Sequence, residues 1–397
     1  MRMRMIGRVC SLALAVAMVT VCFARANDDA AKVSLTTQER TDGAEWWPTK
    51  GDAAAKEYVG EEACASCHGD ISAVQSTTPM YHAGMLAVQS GILKEHPSLK
   101  FQEGAYSYAL DRSASGVRFS ASDGSESDSR DAVWAFGEGE VGQTYLLKKN
   151  DRYLESRLSY YTSTKGLDIT TGHSGEVPFD LQEAFGVALN AENAQHCFSC
   201  HTTASTISGN FAPERAVPGV TCEACHGPGA RHVAAMNAGQ VKNASATVTN
   251  PARMSPMDSV DFCGACHRTA SDVLVTMPAN PGVVAVRFQP YRLEKSRCWG
   301  KSGDARITCI ACHDPHQPLV KELTAYDAKC LKCHQAMGQP MVSGKVAACK
   351  VSSSNCVSCH MPKYAIPQTH AFFTDHDIRV VRESGAPLNK AAHGGVQ

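Results

Sequence analysis

The pattern Cys-x-x-Cys-His occurs seven times in 397 residues: CASCH from Cys64, CFSCH from Cys197, CEACH from Cys222, CGACH from Cys263, CIACH from Cys309, CLKCH from Cys330 and CVSCH from Cys356. Two cysteines three apart share one side of a helical turn. There they can add across the two vinyl groups of a haem, while the histidine that follows ligates the iron. A zinc half-site has no use for a histidine after every pair. The pattern therefore predicts seven covalently attached haems c. The thioether positions are Cys64, Cys67, Cys197, Cys200, Cys222, Cys225, Cys263, Cys266, Cys309, Cys312, Cys330, Cys333, Cys356 and Cys359. The proximal ligands are His68, His201, His226, His267, His313, His334 and His360.

Such a cofactor load decides what else the chain must supply. Only 7% of the residues are aromatic, and hydrophobic periodicity is weak across the motif-rich half. The porphyrins would then provide much of the apolar interior. This predicts a mainly α fold with long loops wrapped around the haems. From Cys197 onward the first cysteines of successive motifs are 25, 41, 46, 21 and 26 residues apart, room for a helix or two between attachments. The much longer interval between the first two motifs has another texture. YSYALDRSASGVRFSASDG and AVWAFGEGEVGQTYLLKKNDRYLESRLSYY alternate apolar and polar residues between turn formers, which predicts a small antiparallel β insertion near residues 101–163. GEGEVG, from Gly137, has the glycine spacing of a dinucleotide fingerprint, but it lies between strands rather than between a strand and a helix, so no nucleotide site follows.

The chain ends address location. MRMRMIGRVCSLALAVAMVTVCFARAND carries Arg2, Arg4 and Arg8, an apolar run and an A-x-A ending at Ala26, the layout of a cleaved signal peptide. Residues 1–26 are read as that peptide, 27–57 as a flexible leader, 58–380 as the multihaem domain and 381–397 as a flexible tail. Export to the periplasm, with no retained transmembrane segment, agrees with covalent haem attachment outside the reducing cytosol. Of 38 basic and 39 acidic residues, four arginines leave with the peptide, so the exported chain is acidic and nucleic acid is excluded as a partner. Cys298 and Cys349 are the two cysteines of the exported chain outside the motifs. In an oxidising compartment they are predicted to pair as a disulfide.

Nine histidines lie outside the motifs, against seven open axial positions. His82, His173, His196, His232, His316, His370 and His376 are the candidate distal ligands, several of them shortly before or after a motif. His96 and His393 are the two spare histidines. No residue pattern singles out a catalytic acid or base.

Several segments resemble the multihaem cytochromes that include hydroxylamine oxidoreductase and its tetrahaem c-prime-like electron acceptor. They are YVGEEACASCH, HSGEVPFD, GVTCEACHGPGARH, RFQPYRLEKSRCW with ITCIACHDPH, and NCVSCHMPKY with HAFFTDHDIRV. The resemblance implies a mostly helical fold, haem pairs alternately stacked and perpendicular, and electron transfer. Seven motifs is neither the tetrahaem nor the octahaem count. No Cys-x-x-Cys-Lys occurs, so the lysine-ligated catalytic haem of related nitrite reductases has no counterpart. The sequence predicts a periplasmic electron carrier working between a membrane quinol or dehydrogenase donor and a terminal acceptor. Its rival is an oxidoreductase acting on a small nitrogen or sulfur compound at one open-faced haem.

Overall fold

In the computed structural model, residues 53–277, 281–296, 298–299, 307–334, 352, 354–379 and 381 are described. The candidate signal peptide, Cys349 with its candidate disulfide, and His393 lie outside them.

The alternating segments form a sheet far larger than a small insertion. Nine antiparallel strands take part: β1 (Gly84–Leu86), β2 (Ser98–Glu103), β3 (Tyr106–Ser113), β4 (Gly116–Ser122), β5 (Ser127–Phe136), β6 (Gly142–Lys149), β7 (Arg152–Tyr161), β8 (Gly166–Ile169) and β9 (Gly186–Ala188). The strand order runs from β2 to β8 in sequence, with β1 added on β5 and β9 on β7. Outer strands β2 and β8 approach each other, so the sheet is nearly closed. The expectation of a mainly α fold is thereby corrected to a mixed one. Its physical basis was that haems would fill the interior, whereas this half of the chain builds an interior from its own side chains.

On β3 buried and exposed residues alternate, as on a sheet with one covered face. Tyr108, Leu110, Phe119, Tyr145, Leu147, Leu158 and Phe185 meet on that face. Toward the ends of β5 and β7 burial becomes continuous, because both faces are covered there. Bulges between Ala132 and Trp134 and between Thr144 and Leu146 shift the register. Trp134, Phe136 and Leu146 consequently turn to the second face, where they pack on Phe198. The GEGEVG stretch is the connection between β5 and β6.

A buried ion pair spans the sheet from β2 to β7. Arg157 donates through Nε and Nη2 to the Glu103 carboxylate at 2.8 and 2.6 Å, and the two side chains are 3% and 9% exposed. Glu103→Gln keeps the shape and removes the charge. It should cost about 1–3 kcal/mol, read as a lower melting midpoint in the β region of the circular dichroism spectrum; an unchanged midpoint would show that the pair does not hold the sheet shut.

The motifs sit on seven helical segments outside the sheet: α1 (Glu61–Gln75), α2 (Ala191–His201), α3 (Cys222–His226), α4 (Pro256–His267), α5 (Cys309–Cys312), α6 (Asp327–His334) and α7 (Cys356–His360). Five of the segments end at the motif histidine, α5 ends one residue before it, and α1 is kinked at His68 by a non-helical φ of −113° and ψ of 39°. A third apolar cluster, of Val273, Ala285, Phe288 and Tyr291, lies beyond α4. A hairpin of Lys363–Ile366 and Ala371–Thr374 closes the described fold.

Candidate functional site

Each motif begins as a helical turn, which places its two cysteine positions on one side and delivers the histidine at a kink, at the helix end or just past it. Local caps fix several of these turns. Asp327 accepts the backbone N–H of Asn355 and Cys356 at 2.6 and 2.8 Å, starting α7. The buried Glu223 of α3 accepts N–H bonds from Val59, Gly60 and Gly229 at 3.0, 2.9 and 2.8 Å. That one carboxylate ties the lead-in to motif 1 onto motif 3.

The motif helices are packed against one another, though not in sequence order. Helix α1 contacts α3, α4 contacts both α2 and α5, and α6 contacts α7. Thiols of different motifs meet at these contacts: Cys64 with Cys222, Cys266 with Cys200, and Cys263 with Cys309. The Cys263 and Cys266 thiols are pushed well above the ordinary range, first by those contacts and then by burial, with Cys225 of motif 3 adding to the rise. Burial raises Cys312, and Cys330 of motif 6 adds to it. Cys356 is pushed up to about 12 by burial and by Asp327, with Cys330 contributing.

Three motif histidines are oriented by backbone carbonyls. Nδ1 of His201 lies 2.8 Å from the Ala83 carbonyl, that of His226 2.7 Å from Thr249, and that of His360 2.7 Å from Arg379. A carbonyl can only accept, so the proton sits on Nδ1 and the Nε2 lone pair is left to bind a metal. Cys266 and His267 retain exposed surface; contact with Cys200 and then burial raise the thiol, and burial lowers the imidazole. Paired thiols and a neighbouring imidazole with free Nε2 fit a covalently attached haem.

The candidate distal histidines divide by which nitrogen is engaged. His232 and His376 place Nδ1 on the carbonyls of Ala244 and Thr374, each at 3.0 Å. His316 places Nδ1 3.4 Å from Asp314. All three stand opposite a motif histidine. Ring centroids are 6.4 Å apart for His68 and His232, 5.9 Å for His226 and His316, and 6.3 Å for His313 and His376. His173 and His370 differ, with Nε2 on Glu155 at 3.0 Å and on Asp168 at 2.9 Å. His82 packs edge-on against Tyr81 at 5.2 Å, His196 precedes Cys197 on α2, and His96 stacks on Tyr160 at 5.6 Å, on the sheet.

Motif 2 abuts the sheet. The His201 ring stacks on Phe136 of β5 at 4.8 Å and 14°. Glu155 projects from β7 on the face it shares with Tyr153, where Cys197 and Phe198 pack. Burial pushes the Cys197 thiol up to about 12, and Glu155 adds to that shift. Burial lowers His201, opposed by the Ala83 bond and by Glu155. Gly186 holds β9 against this part of β7: its φ is +116°, and a Cβ there would collide with the Glu155 carbonyl. Glu155, Asp168, Glu223 and Asp327 carried no sequence signal, since no motif includes the two on strands and the other two look like surface charges.

Residues 170–227, which hold motifs 2 and 3, match the family model described as cytochrome c554 and c-prime. Over 200 residues the sequence is 22% identical to the multiheme cytochrome MtrA of Shewanella baltica (strain OS185), covering 47% of this chain and 49% of that protein. The chain thus spans about half the length of that relative. The solved outer cell wall cytochrome OcwA aligns at 18% identity with a TM-score of 0.46, over 82% of this chain and 80% of that one. With its repeated attachment motifs, the family-model match and the sequence relative, the chain is a multihaem c-type cytochrome that binds haem c covalently.

Proposed function

We propose that the chain is an exported wire of seven haems, passing electrons between a membrane quinol or dehydrogenase donor and a terminal redox protein. The observation that carries this reading is the unbroken succession of neighbouring motifs. Helix contacts join motif 1 to 3, motif 4 to 2 and 5, and motif 6 to 7. His226 opposite His316 at 5.9 Å brings motif 3 to the motif 5 region, and His313 on Tyr326 at 5.5 Å, just before α6, brings motif 5 to motif 6; Cys225 acts electrostatically on the thiols of motif 4. The path then runs 1, 3, 4, 5, 6, 7, with motif 2 joined at 4 and a direct link from motif 3 to the residues just after motif 5, where His316 stands opposite His226. Haem, when bound, supplies a one-electron iron couple. The chain's own part is to hold seven such groups side by side and to fix their ligands. The signal peptide read at residues 1–26 supports export, and among the described residues no helix is long and apolar enough to cross a membrane.

In this reading the imidazole pairs would hold the haem irons. Two imidazoles bound through Nε2 to one metal, each at ~2 Å, bring their centroids roughly 6 Å apart. His68 with His232, His226 with His316, and His313 with His376 meet that spacing. Each of His232→Ala, His316→Ala and His376→Ala should convert one low-spin ferric signal to high spin in electron paramagnetic resonance. His96→Ala should leave the spectrum unaltered. Unchanged spectra in the first three variants would refute the pairing. The wire itself is tested by film voltammetry of the mature holoprotein, which should exchange seven electrons per molecule; exchange limited to one or two would refute it.

A further inference from the structure

Glu223 stands between the two cysteines of motif 3, yet its carboxylate reaches the parts of motif 1. It accepts the N–H of Gly60 at 2.9 Å, and Gly60 is the N-cap of α1, the helix that carries Cys64, Cys67 and His68. It also accepts the N–H of Gly229 at 2.8 Å, the N-cap of the helix Ala230–Asn237, which carries His232. The two helices whose imidazoles stand opposite each other at 6.4 Å thus start on one carboxylate. The fit is close: a Cβ on Gly229 would come within 2.8 Å of a Val59 methyl and 3.4 Å of the Glu223 carboxylate. The third N–H donor is Val59 at 3.0 Å, and among the described residues no basic side chain pairs with Glu223.

Glu223 is 5% exposed, so its negative charge is balanced by three peptide dipoles and by little water. The charge is felt nearby. Burial and then Glu223 push Tyr58 up to about 12, and Cys64 is raised by contact with Cys222, then by burial, with Glu223 adding to the rise. An electron arriving at a haem takes the iron from ferric to ferrous, one unit less positive, so an anion beside it that no cation offsets favours the ferric form.

We propose that Glu223 serves the motif-1 haem in two ways: it sets both imidazoles in place, and it holds that haem's reduction potential below the value the same two ligands would give without it. The residue belongs to motif 3 by sequence and to motif 1 through space. On the wire reading motif 1 is an end of the path, so the charge decides how strong a reductant that end requires.

The test is a redox titration of the mature holoprotein followed by electron paramagnetic resonance, with the motif-1 signal identified as the one that turns high spin in His232→Ala. Glu223→Gln keeps the length of the side chain and removes the charge. The midpoint of that signal should move upward, while the signal stays low spin and mass spectrometry still finds the motif-1 haem. Glu223→Asp keeps the charge and lengthens the tethers, so the midpoint should stay near the native one while the g values shift. Glu62→Gln removes an exposed carboxylate from the same helix and should leave both unchanged. An unmoved midpoint in Glu223→Gln would overturn the proposal, as would an equal rise in Glu62→Gln, or a spectrum unaltered in His232→Ala. If Glu223→Gln yields no holoprotein, Glu223→Asp carries the decision, and a raised midpoint or native g values there would overturn it. Midpoints are equilibrium values, blind to the route electrons take, so this proposal can fail while the wire stands. Voltammetry that counts fewer than seven electrons would leave the motif-1 midpoint measurable.

Discussion

Cys263→Ser with Cys266→Ser should cut motif 2 off from the rest of the wire. The double variant loses one haem by mass. On an electrode the motif-2 electron should be slowed beyond the scan, while motifs 1, 3, 5, 6 and 7 keep the native rate. Helix α4 contacts both α2 and α5, so it joins motif 2 to motif 5. Motif 3 reaches motif 5 without it, because His226 stands opposite His316, three residues past His313. The control is Cys197→Ser with Cys200→Ser, which also removes one haem but only from the branch. It should leave the other electrons exchanging at the native rate. Equal behaviour of the two double variants would refute the branched order. Because α4 is a 12-residue helix with Val260 and Asp261 buried against its neighbours, the expected loss is of a cofactor rather than of the surrounding fold.

That spatial order could not be read from the intervals between motifs. Close spacing from Cys197 onward suggests that consecutive motifs are neighbours, yet motif 1 lies on motif 3, and motif 2 on motif 4. The cause is the sheet. After α1 the chain enters β1, which pairs with β5, and Gly84 of β1 packs so closely on His201 that a Cβ would strike the His201 carbonyl. Strand residues far from either motif therefore decide where α2 sits. Alternation in segments such as YSYALDRS identified strands, but short ones such as GML and GVA give no periodic signal. Register bulges that turn Trp134 and Leu146 toward α2 leave no trace in composition.

The candidate sites divide in the same way. Attachment residues are contiguous, so their chemistry was legible. What orients them is not, because the acceptors for His201, His226 and His360 are main-chain carbonyls of Ala83, Thr249 and Arg379, and any residue has a carbonyl. Among the distal candidates, sequence proximity could not separate His232, with Nδ1 engaged, from His173, with Nε2 engaged. The distinction rests on one carboxylate, Glu155, 18 residues away.

Asp375→Ala should have the largest effect on stability. Asp375 is 1% exposed and accepts both Nε and Nη2 of Arg292 at 2.8 Å. It also pairs with Arg379 and takes the Asp377 N–H at 3.0 Å. Removing it strands Arg292, whose side chain is 17% exposed, with only the longer contact to Asp377 at 3.2 Å. Breaking one partner of such a buried pair costs about 3–5 kcal/mol, a large share of the stability of an ordinary domain. The loss should not stop at unfolding. This network fixes the segment after the hairpin, which carries His376 opposite His313 and the Arg379 carbonyl that orients His360. The sequence change lies at neither a cysteine nor a motif histidine, yet the spectrum should respond. Denaturant titration should show the midpoint falling. In the still-folded variant, electron paramagnetic resonance should show high-spin iron where His376 no longer stands opposite His313. Asp375→Asn keeps the acceptor geometry on one oxygen and should fall between native and Asp375→Ala in both measurements. A full loss of stability with an unchanged spin state would mean that the ion-pair network holds the fold without holding the ligand.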